Sequence, residues 1–255
     1  MTPTSRRNFL ALAAALLAPA TAESRSTTAY RIDATILALG LPVYKRRGAG
    51  CAFVHVRQEQ GAVHLQFAAG SWPEQARGLN RYGSLEESVT AQGASWFGFM
   101  TSSPDKDVRN RDAQPCTATR GRLSPFRAEI ETMRVQIAPD LTWSRSEELY
   151  RRVNTSWRPE PAQQLPLRSA TPTPFLYAVR AGLLQGQTNF RIEFHHNAQP
   201  GELELHRDGE LVHGRITIAQ KVTPFRLWTS EGSAIPFRIE YEPMRILRLT
   251  MERES

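Results

Sequence analysis

The chain of 255 residues has only two cysteines, Cys51 and Cys116, and only three lysines, Lys45, Lys106 and Lys221. Two cysteines with no CxxC or Cys/His spacing exclude a structural zinc module. They allow at most one disulfide, Cys51 to Cys116, the expected pairing in an oxidising compartment. It would stabilise the fold by roughly 4 kcal/mol in the chain-entropy model. Long apolar runs are also missing. The stretch from Phe9 to Leu17 covers nine residues, whereas a bilayer crossing needs roughly 20. There is no Gly-x-Ser-x-Gly elbow, no His-Glu-x-x-His, no phosphate loop and no dinucleotide fingerprint. Gly48-Ala49-Gly50 precedes a strand and lacks the third glycine, so it reads as a turn. Basicity rests on arginines interleaved with Asp and Glu, without the one-sided stripe that nucleic acid requires.

What is present begins with Ser5-Arg6-Arg7-Asn8-Phe9-Leu10. Paired arginines, a short apolar core and the small residues Ala20-Thr21-Ala22 make a twin-arginine export signal. Residues 1–22 are therefore expected to be a leader, with a soluble mature chain from Glu23 in the periplasm or outside the cell. No transmembrane span is expected after processing. The sequence holds 32 basic and 25 acidic residues, and loss of Arg6 and Arg7 leaves a net charge of +5. That is compatible with a mild attraction to an anionic membrane surface.

Residues 23–255 read as a single β-rich domain. Strands are expected at Tyr30–Leu39, Cys51–Arg57 and Ala62–Ala69, the last alternating Val63, Leu65 and Phe67 with polar partners. Lys45–Gly50 reads as a loop. Short helices are expected at Pro73–Asn80 and after the capping box Ser144-Arg145-Ser146-Glu147, which Leu149, Val153 and Trp157 follow at helical spacing. Ser84–Ala91 favours a hairpin. Ser102–Leu123 reads as a long polar loop holding Cys116, and Phe126–Ala138 as a strand. Five prolines between Arg158 and Pro174 mark a crossover without regular structure. Phe175–Leu184 fits helix or strand. Six strands from Asn189 to Glu252 then form an antiparallel meander. The expected fold is mainly β: an antiparallel curved sheet or open half-barrel with two or three short helices.

Leu176-Tyr177-Ala178-Val179-Arg180, the later Gly186, and the pair Leu227-Trp228-Thr229-Ser230 and Ile235-Pro236-Phe237-Arg238-Ile239 carry a resemblance. With those motifs the chain resembles a widespread family of exported bacterial proteins of unknown function. It departs from them at Glu242-Pro243, where the family often has glycine. The layout is similar to periplasmic lipoprotein-localisation factors, half-barrels folded over a helix that bind acyl chains. This implies a lipid or other amphiphile as ligand, although fold alone does not settle function.

One constellation suggests chemistry. A four-residue turn at Ala198–Gly201 and a two-residue turn at Asp208-Gly209 would align His195, Glu204 and His213 in a row across three strands. Two imidazoles and a carboxylate could hold a divalent metal, although no cofactor is otherwise expected. Charge pairing on a wet face is the plainer reading. His196 shares the apolar face of its strand and fits a core position. Trp72, Trp96, Trp143, Trp157 and Trp228 fit core or groove-lining roles. Three functions follow as expectations: a carrier for a lipid or amphiphile, an envelope assembly factor with an envelope protein partner, or an enzyme on envelope polymers. The last would use acids and histidines of the hairpins at 189–215.

Overall fold

A computed structural model describes residues 24–59, 61–71, 75, 82–101, 114–137, 153–154, 161–167, 172–196 and 199–254. The expected leader, the Pro73–Asn80 helix apart from Gln75, and the capping box at Ser144 lie outside the described residues.

The structure is one antiparallel sheet, curved and open, with one helix among the described residues. The first meander comprises β1 (Ser24–Ala38), β2 (Leu41–Glu59), β3 (Ala62–Ser71), β4 (Tyr82–Thr90), β5 (Gly93–Thr101), β6 (Gln114–Ser124) and β7 (Arg127–Ile137). Two short strands, β8 (Val153–Asn154) and β9 (Gln163–Pro166), both pair with β7. After the helix α1 (Phe175–Gln185) comes a second meander: β10 (Asn189–His196), β11 (Gln199–Asp208), β12 (Leu211–Ile218), β13 (Lys221–Trp228), β14 (Arg238–Met244) and β15 (Leu247–Arg253). The two meanders join where β15 pairs with β1, Tyr30 opposite Arg253 and Ile36 opposite Leu247.

Alternation of side chains explains how the sheet folds over α1. Ala178, Ala181 and Leu183 bury against Phe190, Phe194, Leu203 and Leu205 of the second meander. Leu176 and Tyr177 pack on Val63, Leu65 and Val89 of the first. One helix thus bridges strands that lie far apart in the sheet, and the sheet wraps around it. Gly182 permits the close approach, because a Cβ there would lie 2.5 Å from Leu205 and 2.7 Å from Phe190. The helix ends at Gly186, whose φ of 61° is the left-handed conformation that suits glycine.

Glycine and aromatic residues also face each other across strand pairs. Phe194 lies over Gly201, Phe225 over Gly214 and Trp96 over Gly121, in each case directly opposite in register. A side chain at any of these glycines would occupy the space of the ring. Such pairs pin the register.

Several expectations are corrected. The two or three short helices reduce to α1 among the described residues, and Val153 sits in β8 opposite Ile137. Lys45–Gly50 belongs to β2, where a register shift between Ile32 and Ala34 and the left-handed Gly48 (φ 60°) absorb the irregularity. The second half of the Ser102–Leu123 loop is β6, which holds Cys116 opposite Thr101 and Val135. The proline-rich crossover at 158–174 contains β9. Its residues Gln163, Gln164 and Leu165 keep their amide groups, and a proline is tolerated at the end of an edge strand.

Candidate functional site

The face of the first meander turned away from α1 carries a trough of about 810 Å3. Register places Arg25 of β1, His55 and Arg57 of β2, His64 and Gln66 of β3, and Glu86 and Ser88 of β4 on this face. Ser95 and Phe97 of β5, Arg120 and Arg122 of β6, and Glu129 and Glu131 of β7 continue it. Strands that are apolar towards α1 are therefore polar towards the trough.

The two walls differ in charge. On the β1–β3 side Arg57 Nε meets Glu59 at 3.0 Å, and His64 Nε2 lies 3.6 Å from the same carboxylate. His55 shares a hydrogen bond of 2.8 Å with Thr27 and stacks near Phe53. Arg25 adds a further positive charge at the end of the trough. On the far wall Arg120 donates to Glu131 at 2.5 Å, and Arg122 stands opposite Glu129. Gln66 donates to Glu86 between the walls. Burial among these side chains pushes the Glu86 carboxyl above its ordinary value, against the lowering effect of that bond. The trough therefore offers many donors and acceptors, one basic wall and one aromatic ring, Phe97.

Behind the trough, on the α1 side of the same strand, Glu87 is buried. Its carboxylate accepts the N–H of Leu176 at 2.8 Å and of Tyr177 at 2.9 Å. Pro174, the residue before the helix, provides no side-chain cap. Glu87 does so from another strand, satisfying donors that a helix start leaves open. Burial pushes this carboxyl up to about 7, opposed by the bonds from Leu176, Tyr177 and Phe175.

The expected row of His195, Glu204 and His213 is not aligned in register. His195 stands opposite Pro200, Glu204 opposite Arg191 and Arg215, and His213 opposite His206. Pro200 is four residues from Glu204, about 13 Å along the strand. Two turn differences cause the shift. The β10–β11 connection spans only residues 197–198, and Phe194 settles over Gly201. At the next hairpin the turn residues are Gly209 and Glu210, with glycine supplying the positive φ first. Glu204 instead lies between two arginines, 3.9 Å from Arg191 and 3.6 Å from Arg215. His195 is buried beneath the strap Thr173–Pro174, its N–H donating to the Thr173 carbonyl at 2.8 Å. Burial holds its imidazole below the ordinary range, with Glu193 opposing. His213 is exposed. Among the described residues no three His, Cys, Asp or Glu side chains gather as metal ligands. Cys51 is buried on β2, and the side chain of Cys116 lies outside the described residues.

No family model, curated protein or solved structure matches this chain. The trough must therefore be read from its own residues. None of its arginines or glutamates stood out in the sequence, yet a signal was present. Arg120 and Arg122 precede a turn at Pro125-Phe126, and Glu129 and Glu131 follow it, with charges two residues apart on each side. Opposite charges spaced that way around a turn fall on one face of a hairpin.

Proposed function

We propose that the protein is a non-catalytic envelope binding protein, exported by the leader at 1–22, that holds a carboxylate-bearing glycan strand in the trough. The polar lining across β1–β7 carries this reading. A strand of sugars presents hydroxyls to Gln66, Ser88 and Ser95, a ring face to Phe97 and carboxylates to Arg57 and Arg122. Two acids of the trough are engaged by neighbouring donors, Glu86 by Gln66 and Glu131 by Arg120. That arrangement suits recognition and suits assembly of envelope polymers. The acyl-carrier alternative has less support, because α1 fills the concave apolar face with Ala178, Ala181 and Leu183.

Calorimetric titration with a carboxylated oligosaccharide and a neutral one of equal length tests the proposal. Saturable binding of the carboxylated sugar is expected, weakened by salt and by Arg122→Ala or Phe97→Ala. Equal binding of both sugars, or no binding at millimolar concentration, would overturn it.

A further inference from the structure

The β1–β2 and β14–β15 hairpins end side by side, because Ile36 pairs with Leu247 and the Leu37 N–H donates to the Ile246 carbonyl at 2.9 Å. Their shared lip is unusually apolar for a solvent-facing edge. Leu39 is 104% exposed, Leu41 69%, Val43 61%, Ile246 60% and Met244 53%. At the apex Leu39 adopts φ 51° beside Gly40 at φ 81°. A left-handed backbone disfavours a leucine, and the same turn is readily made by Asn-Gly. A bulky apolar side chain is thus held at the most protruding position against local preference, the kind of outlier that points to function.

Positive charge surrounds this lip. Lys45, Arg46 and Arg47 follow the first tip, Arg245 stands in the second turn beside Ile246, and Arg248 follows it on β15. Asp33 lies 3.3 Å from Lys45 and Glu242 accepts from Arg248 at 2.7 Å, so the charge of the collar rests on Arg46, Arg47 and Arg245. Apolar tips in a basic collar match the two layers of an anionic bilayer surface, acyl chains below and phosphates above.

We infer that the paired tips of β1–β2 and β14–β15 insert into anionic membrane surfaces, with Arg47 and Arg245 among the phosphates. The row of the trough nearest the lip is His55, opposite Thr27 of β1, twelve positions before Leu39, or roughly 40 Å at about 3.3 Å per residue. Docking by the tips therefore leaves the trough clear of the bilayer.

A tryptophan reporter in the full chain reads the lip directly, whatever the rest of the chain does at a membrane. Leu39→Trp and, as a control at the distant β4–β5 turn, Gln92→Trp are mixed with vesicles of phosphatidylglycerol brominated in the acyl chains. Extra quenching relative to the parent chain is expected for Leu39→Trp and none for Gln92→Trp. The Arg47→Glu, Arg245→Glu pair in the Leu39→Trp chain is expected to raise the lipid needed for half-maximal quenching by at least about tenfold. No quenching at Leu39→Trp overturns the inference. Equal quenching by brominated phosphatidylcholine, or by the charge-reversed chain, overturns its electrostatic part. A dimer in sedimentation that Leu39→Asp splits, seen without lipid quenching, assigns the lip to a second copy and also overturns it.

Discussion

The Glu87 carboxylate on β4 accepts the backbone N–H of Tyr177, 90 positions along the chain, and so fixes the start of α1 to the first meander. The same helix packs its other residues on the second meander, so this contact helps hold the two halves around one core.

Glu87 sets a pH dependence. Its carboxyl is raised from 4.5 to about 7 in the folded chain. The folded state then binds the proton more tightly than the unfolded one between those values. The contribution of Glu87 to stability is greatest below pH ~4.5, falls as pH rises through that window, and levels above ~7, a loss of about 3 kcal/mol for this group. Glu87→Gln keeps an acceptor without the charge and is expected to flatten that slope in thermal melts. Glu87→Ala leaves two buried N–H groups open and is expected to cost about 1–3 kcal/mol at any pH. Parallel pH slopes for the parent and the glutamine variant would refute the assignment.

Asp33 behaves in the opposite sense. Burial alone would raise its carboxyl, but the Gly48 N–H at 3.0 Å, Lys45 and Arg31 outweigh burial and hold it below the ordinary range. Its contribution is present above the unfolded carboxyl value and is lost as pH falls through the lower folded one. Asp33→Asn is expected to destabilise by about 1–3 kcal/mol at neutral pH. The deficit should shrink in acid, as urea titrations at two pH values would show.

Gly121 lies beneath the Trp96 ring, so Gly121→Ala forces that buried ring from its place. A loss of about 1–3 kcal/mol is expected. Gly61, in a turn where an added Cβ meets nothing within 4 Å, has φ 74°. Gly61→Ala should therefore cost only the backbone strain of about 1–2 kcal/mol, and near-ultraviolet circular dichroism should change only for Gly121→Ala.

Arg122 is exposed on the trough wall. Arg122→Ala is expected to move stability by no more than about 0.5 kcal/mol. A melting temperature close to the parent, beside weakened sugar binding, separates recognition from folding.

Much of the fold was legible because alternation survives in single strands. Val63, Leu65 and Phe67, and the meander from Asn189, announced their faces without help from the rest of the chain. Register was less legible. Asp208-Gly209 could place its glycine first or second in the turn, and a shift of one turn residue moves every partner by two. Only the fit of Phe194 over Gly201 and Phe225 over Gly214 decides the pairing, and that fit involves residues on different strands. β9 was hidden by Pro166 and the prolines around it, and β6 by its polar composition, because β9 owes its shape to β7 and β6 to β5 and β7. The trough was hidden for a related reason. Its residues come from seven strands, and no local pattern joins Arg25 to Glu131.

The first strand and the last meet in the middle of the sheet, Tyr30 against Arg253 and Ile32 against Met251. During synthesis β1 must wait with one side open until Leu247–Arg253 have left the ribosome. A chain cut short before Leu247 would leave that side bare and adhesive. Premature termination should therefore yield aggregates rather than a smaller working protein.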